Sequence, residues 1–160
     1  SYFFKKVEYM DVVQFGANVA TALSLIAAII FGVIGYIQNN KRFRSEYTLG
    51  LMQFKFEQDD IFRAYDYMSN LIAEEKDYNR SEVNDKKLAE AVEKLLSYFE
   101  LISIAYLRHD ADRQIIEKQI KSGMRDTYIR CKPYIIERRK ELKRPKLYDN
   151  LRIVATEHFM

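Results

Sequence analysis

An unbroken apolar stretch from Val12 to Ile37 constrains this chain more than any other feature. It reads VVQFGANVATALSLIAAIIFGVIGYI and contains no charged residue. A helix rises about 1.5 Å per residue, so roughly 20 apolar residues cross the hydrocarbon core of a bilayer. The stretch predicts a transmembrane helix over residues 12–40. A core helix of a soluble bundle usually has a shorter apolar run, and a cleaved signal peptide has a shorter apolar part followed by a small-residue cleavage site.

One face of the predicted span is polar near its N-terminal end and small near its C-terminal end. At 100° per residue, this face holds Gln14, Asn18, Thr21, Leu25, Ala28, Gly32 and Gly35. Asn18 is unfavourable against lipid, so we expect the face to contact protein or water. In an assembly of several copies, these residues would line a polar mouth and a narrow throat.

Small residues also recur every fourth position along the span. They are Gly16, Ala20, Ser24, Ala28 and Gly32. This pattern lets helix backbones approach closely and predicts a homo-oligomer, with the chain itself and the lipid bilayer as its partners. In the alternative reading, Gln14 lies among lipid headgroups and the small residues reflect only the usual composition of membrane helices.

The flanks of the span suggest its orientation. Residues 1–11, SYFFKKVEYMD, mix aromatic residues with two lysines, as an interfacial segment does, although a disordered terminus is the alternative. Lys41, Arg42 and Arg44 follow the span, which narrowly favours a cytoplasmic C-terminus. The single cysteine, Cys131, excludes an internal disulfide and fits a reducing compartment.

Residues 41–160 have a helical pattern throughout and predict an α-helical cytosolic domain. Apolar positions keep a helical period from Lys41 to about Glu75, with Gly50 as a possible bend. The next helix is expected from about Lys86 to Leu107, after a polar loop in which Ser81, Asn84 and Asp85 are candidate N-caps. Its apolar row is Leu88, Val92, Leu95, Leu96, Phe99, Ile102 and Tyr106.

A third helix is expected after a turn at His109, with Asp110 or Asp112 as its N-cap. Pro133 should kink or break this helix, because it lacks a backbone donor. Pro145 should end the segment, and residues 146–159 should form a last short helix. His109 has no neighbouring cysteine or second histidine, so we expect neither a metal site nor a cofactor.

Positive charge is concentrated before the last helix. The basic segment consists of Lys132, Arg138, Arg139, Lys140, Lys143, Arg144 and Lys146. Such density suits the phosphates of RNA, a signalling nucleotide or lipid headgroups. A solvated helix face is the alternative interpretation, since Glu137 and Glu141 offset part of the charge.

Arg152 and His158 are separated by five residues in the string RIVATEH near the end of the chain. This Arg-x5-His spacing resembles the motif of the HEPN superfamily, whose ribonucleases join the Arg and His pairs of two protomers into one composite site. The imidazole would move a proton and the guanidinium would stabilise the phosphate in the transition state. Ile153 follows the arginine where active members usually have a polar residue, so we expect no catalysis.

Two broader resemblances concern larger parts of the chain. The blocks SYFELISIAYLRHD and KPYIIERRK, within residues 97–140, resemble a bacterial family of small membrane proteins with one N-terminal span. The whole layout resembles the small membrane accessory proteins encoded beside type VI-B CRISPR ribonucleases. That resemblance implies a HEPN-like domain, a ring-shaped homo-oligomer and a pore that permeabilises the bacterial inner membrane during antiphage defence, with the CRISPR ribonuclease as a possible partner. A membrane-tethered HEPN-like ribonuclease, a nucleotide-sensing effector and a passive anchor are the alternatives.

Overall fold

The computed structural model describes the backbone of residues 2–57 and 59–160, and the side chains of residue 14, residues 16–53 and residues 59–160. Throughout these ranges the regular structure is helical and includes no strand, so the predicted all-α class is confirmed. The elements are α1 (Tyr2–Glu57), α2 (Asp59–Ala73), a 3₁₀ turn (Arg80–Glu82), α3 (Lys86–Leu107), α4 (Arg113–Glu141), α5 (Asp149–Ile153) and a π turn (Val154–His158). The chain divides into two compact units, residues 1–42 and residues 43–160.

The first unit consists of the N-terminal part of α1. Its helix is long and apolar enough, from Gly16 onward, to cross a membrane. Between Gly16 and Asn39 every residue is exposed apart from the half-buried Ala27. The backbone is helical from Tyr2, but the side chains of residues 1–13 lie outside the described residues, and the interfacial role of residues 1–11 stays a prediction.

The second unit is built around α3, which packs against α2, α4, α5 and the π turn. The predicted bounds of α3 are confirmed, and its N-cap is Asp85, whose carboxylate accepts hydrogen bonds from the N–H groups of Lys87 and Leu88. Six of the seven residues in the predicted apolar row are buried, and Leu88 is half-buried. Burial of this row against three helices places the hydrophobic core of the domain along α3.

Residues 43–57, the C-terminal part of α1, belong to the second unit and meet the start of α4 there. Asp112 is the N-cap of α4, as predicted, and its carboxylate accepts from the N–H groups of Gln114 and Ile115. The same carboxylate accepts from the Ser45 hydroxyl at 2.9 Å. The Asp112 N–H donates to the hydroxyl oxygen of Thr48 at 2.7 Å, and Thr48 is buried. This network attaches α1 to the helical domain through a helix terminus.

The helical segment expected from Lys41 to about Glu75 consists of α1, which passes Gly50 and is described to Glu57, and α2 (Asp59–Ala73); residue 58 lies outside the described residues. Two other boundary predictions need correction. α4 continues through Pro133 rather than breaking there. Pro133 removes only the hydrogen bond to the carbonyl of Ile129, and the packing of Tyr134 and Ile135 on the far side of α4 holds the helix in place.

The second correction concerns the start of the last helix. Residues 142–148 form turns, and α5 begins at Asp149 rather than at Lys146. The carboxylate of Glu100 in α3 accepts hydrogen bonds from the N–H groups of Asn150 and Leu151 and from the Asn150 amide. A carboxylate supplied by another helix therefore marks the beginning of α5, and no local sequence signal could have located it.

Candidate functional site

The predicted pore-lining face lies on the exposed surface of α1. All seven of its residues are exposed in the chain, Leu25 by 63%. Within the described residues, the side-chain amides of Gln14 and Asn18 have no hydrogen-bond partner. The Thr21 hydroxyl donates to the carbonyl of Ala17 at 2.9 Å, so its donor is satisfied inside the helix. The lining role of this face concerns contacts between copies and stays a prediction.

The opposite face of the same helix is mostly large and apolar. At 100° per residue it holds Val19, Leu23, Ile26, Ile30 and Ile37, each of them more than 40% exposed. A Cβ atom built on Gly16, Gly32 or Gly35 would meet nothing within 4 Å, so the backbone is open to close approach at these positions. α1 therefore presents one aliphatic surface suited to lipid and one small, partly polar surface suited to another helix.

Arg152 is held by acidic residues of its own segment. Its Nε donates to Asp149 Oδ1 at 2.8 Å, and its Nη1 lies 3.6 Å from Glu157 Oε1. The hydrogen bond to Arg152 lowers the pKa of Asp149, and the same contact raises the pKa of Arg152. Two carboxylates thus offset the charge that a phosphate would need.

His158 ends the π turn and is exposed. Its ring meets the ring of Tyr106 edge to face, with the centroids 5.6 Å apart. The Tyr106 hydroxyl donates to Glu117 at 2.6 Å, and burial together with this acceptor raises the pKa of Tyr106 to about 12. Among the described residues, Arg152 and His158 form no hydrogen bond, ion pair or ring contact with each other; their neighbours are Asp149 and Glu157 for the arginine and Tyr106 for the histidine.

The basic segment separates into two groups. Arg138 bonds to Glu141 at 3.1 Å and lies 3.6 Å from Glu93, while the Nε of Arg139 donates to the carbonyl of Leu147 at 2.8 Å. These two arginines connect α4 to its surroundings. The other five members, Lys132, Lys140, Lys143, Arg144 and Lys146, are exposed and form no ion pair within the described residues. Only these five are available to an external anion.

A polar cleft between α3, α4 and the 3₁₀ turn was missed by sequence reasoning. Its volume is about 640 Å³, and its lining includes Glu90, Glu93, Glu137, Glu141 and Arg138. The Tyr134 hydroxyl donates a short hydrogen bond to Glu93, and burial raises the pKa of Tyr134. The acidic residues of α4 recur four positions apart, a signal that could have located this wall of the cleft. Among the described residues no group of three or more acidic, histidine or cysteine side chains could hold a metal ion.

The fold and its surfaces define an all-helical protein with one helix long and apolar enough to span a membrane. The chain belongs to the family described as domain of unknown function DUF4760, whose model matches residues 21–157. No curated protein and no solved structure matches the chain. The family description assigns no activity, so the resemblances to HEPN ribonucleases and to CRISPR accessory proteins stay predictions.

Proposed function

We propose that this protein is a single-pass membrane protein whose spans assemble side by side and enclose a pore. The observation that carries the proposal is the uncovered apolar surface of α1, which has Asn18 on one face. No part of the window that qualifies as a span is buried by the rest of the chain. Soluble monomers rarely expose apolar surface continuously over so many turns, because its contact with water is unfavourable.

The extent of the family match supports a span that is part of the mature protein. The matched region begins at Thr21, inside the apolar stretch, and continues through the helical domain to residue 157. A cleaved leader would lie outside the unit that the family shares, whereas this match treats the apolar helix and the domain as one unit.

The two faces of α1 support self-association over a solitary anchor. A lone helix would leave the Asn18 amide unpaired against lipid, at a cost that association with other copies removes. Small residues at every fourth position permit the close approach, and the aliphatic face around Leu23 and Ile30 remains in contact with lipid. A ring of such helices has amides at its mouth and glycines at its throat.

Permeation through this pore involves no bond chemistry. Arg152, the phosphate-binding candidate of the ribonuclease alternative, is engaged by Asp149 and Glu157, which favours the pore over that alternative. Lys41, Arg42 and Arg44 after the span favour a cytoplasmic domain. Location in a bacterial inner membrane and a role in antiphage defence depend on resemblance alone.

The proposal is tested by particle mass and by leakage from vesicles. We expect the detergent-solubilised protein to have the mass of several copies and to release a small dye from liposomes. Asn18→Leu and Gly32→Leu should abolish leakage, since each places a bulky apolar side chain on the proposed lining, and the particle mass of each variant distinguishes a blocked passage from a lost assembly. Val19→Leu, which adds bulk to the opposite face, is the matched control and should leak like the wild type.

Two results would contradict the proposal in different ways. A single-copy particle in mild detergent would remove self-association and with it the pore. A multi-copy particle whose leakage is the same in wild type, Asn18→Leu and Gly32→Leu would show that the assigned face does not line a passage.

A further inference from the structure

The solvent-facing side of α4 has an unusual composition for a water-exposed helix. We call one group of its residues the α4 outer face: Ile129, Lys132, Pro133, Ile136 and Lys140. On a helical wheel of 100° per residue, each of them lies within about 60° of the mean direction of the group. All five are exposed, Ile129 by 49% and Ile136 by 44%. Two isoleucines and a proline therefore lie between lysines on a surface that no other part of the described chain covers.

Exposed apolar and basic residues also continue past the end of α4. Leu142 is 42% exposed, and Lys143 and Arg144 follow it at the surface. Lys132, Lys140, Lys143 and Arg144 have no ion-pair partner in the part of the chain that the structure describes. Arg138, on the other side of the helix, is engaged by Glu93 and Glu141. Lys132 and Lys140 therefore lie unpaired beside the exposed isoleucines, while the arginine on the opposite side of α4 is engaged.

We propose that the α4 outer face binds the anionic headgroup layer of a lipid bilayer. Lysines interleaved with aliphatic side chains suit this layer, where the ammonium groups meet phosphates and the aliphatic groups enter the acyl boundary. Each basic residue near an anionic surface strengthens binding by about fivefold. A surface for single-stranded RNA usually combines cations with exposed aromatic platforms, and the α4 outer face contains none.

Because α1 already attaches the protein to the membrane, binding of the α4 outer face to lipid is intramolecular. Even a low affinity for the headgroups is then enough for the face to be bound. In that respect the inference rests on the proposed membrane span, although it does not require a pore. It adds to the proposed function a second, peripheral contact by which the lipid composition of the membrane acts on the helical domain.

The test uses the full-length protein in vesicles, with a nitroxide label on Ile136→Cys. Cys131 is fully buried, and burial raises the pKa of its thiol, so it does not compete for the label. We expect the label to collide with lipid-soluble oxygen in vesicles containing about a third phosphatidylglycerol, and with a water-soluble nickel complex in pure phosphatidylcholine. The same label on Ser69→Cys, an exposed site on α2, should stay aqueous in both.

A pair of charge variants tests the electrostatic part. Lys132→Gln with Lys140→Gln should lower the ratio of lipid-exposed to aqueous label by about 25-fold, the product of two fivefold losses. Lys86→Gln with Lys87→Gln removes the same charge at the start of α3 and should leave the ratio unchanged. Higher ionic strength should reduce the wild-type ratio as well, because these charges are exposed to solvent.

Three results would overturn the inference. The first is a label at position 136 that stays in water in anionic vesicles. The second is a label whose exposure to lipid is the same with and without anionic lipid. The third is a Lys132→Gln/Lys140→Gln variant that loses binding to polyuridine RNA while the lipid exposure of its label is unchanged. Flotation after an alkaline carbonate wash is measured first. Protein that is washed off contradicts the proposed span, whereas inserted protein with an aqueous label contradicts only the α4 contact.

Discussion

Phe31 in α1 and Phe99 in α3 are both central residues of long helices, yet Phe31 is 73% exposed and Phe99 is fully buried. The same contrast holds for their neighbours, since Ile29 and Ile30 are exposed while Leu95 and Ile102 are buried. The helices of the domain are stabilised by one another. The span of α1 has only its own backbone hydrogen bonds, so its apolar surface needs lipid or other copies.

Truncating the two phenylalanines should give the largest difference between the regions. Phe99→Ala removes a ring from the core and should destabilise the domain by about 3–5 kcal/mol. Phe31→Ala removes an exposed ring of the span and should leave the unfolding of the domain unchanged. Denaturant titration of the detergent-solubilised protein, followed by near-ultraviolet circular dichroism of the tyrosines, measures both. Equal destabilisation by the two variants would mean that the span and the domain unfold as one unit.

A lysine substitution on each exposed surface distinguishes a surface that contacts lipid from one that contacts water. Ile30 and Leu101 are similarly exposed, by 51% and 45%. Ile30→Lys should oppose membrane insertion by about 3 kcal/mol, whereas Leu101→Lys should change the unfolding free energy of the domain by less than about 0.5 kcal/mol. The fraction of protein that floats with vesicles after a carbonate wash reports the first effect. If Ile30→Lys inserts like the wild type, that face of α1 does not contact hydrocarbon.

Two threonines of α1 make the same local hydrogen bond with different consequences. Thr21 donates to the carbonyl of Ala17, and Thr48 donates to the carbonyl of Arg44. Thr48 also accepts from the Asp112 N–H, so Thr48→Val leaves that donor unpaired and should cost about 2 kcal/mol of domain stability. Thr21→Val should have almost no effect. A domain that is equally stable in Thr48→Val would show that the contact with α4 does not hold α1.

Acid should destabilise the domain and leave the span unaffected, because the span has no charged residue between positions 12 and 37. The folded pKa of Asp149 is lowered by Arg152. Its stabilising contribution is therefore complete above the unfolded value of about 3.9 and is lost as the pH falls through the folded value. Asp149→Asn should be less stable than the wild type at neutral pH, and this difference should shrink on acidification. Denaturant titrations at neutral and at acidic pH measure this difference.

Glycine placement gives the smallest expected effects. Glu75, His109 and Lys143 follow α2, α3 and α4 with φ values of 55°, 61° and 53°, in the left-handed conformation that favours glycine. His109→Gly should stabilise the domain by about 0.5–1 kcal/mol, because it relieves this strain. Gly50→Ala, in α1 with open space around its Cβ, should stabilise by a similar amount. Thermal unfolding measures both, and a destabilised His109→Gly would mean that the imidazole makes a contact worth more than the strain.

Much of the fold follows from local patterns. Asp85 and Asp112, the N-caps of α3 and α4, were each among the candidates predicted for their helix, because a cap is recognised from the few residues that follow it. The start of the last helix was wrong, because α5 begins at Asp149 where the Glu100 carboxylate of α3 meets its N–H groups. The split of the basic segment could not be read from spacing, since Arg138 is engaged by Glu93 from a different helix.

The sequence by itself determined that this is a helical protein with one stretch suited to lipid. An apolar run without charge and a 3.6-residue period each act within a single helix. Only the tertiary structure decided which polar groups are engaged and which are free. The Glu100 carboxylate binds the start of α5 from 50 residues away, Glu93 of α3 lies 3.6 Å from Arg138 of α4, and the lysines beside Ile136 have no ion-pair partner among the described residues. Such pairings depend on which helices meet, and the periodicity within each helix does not specify that.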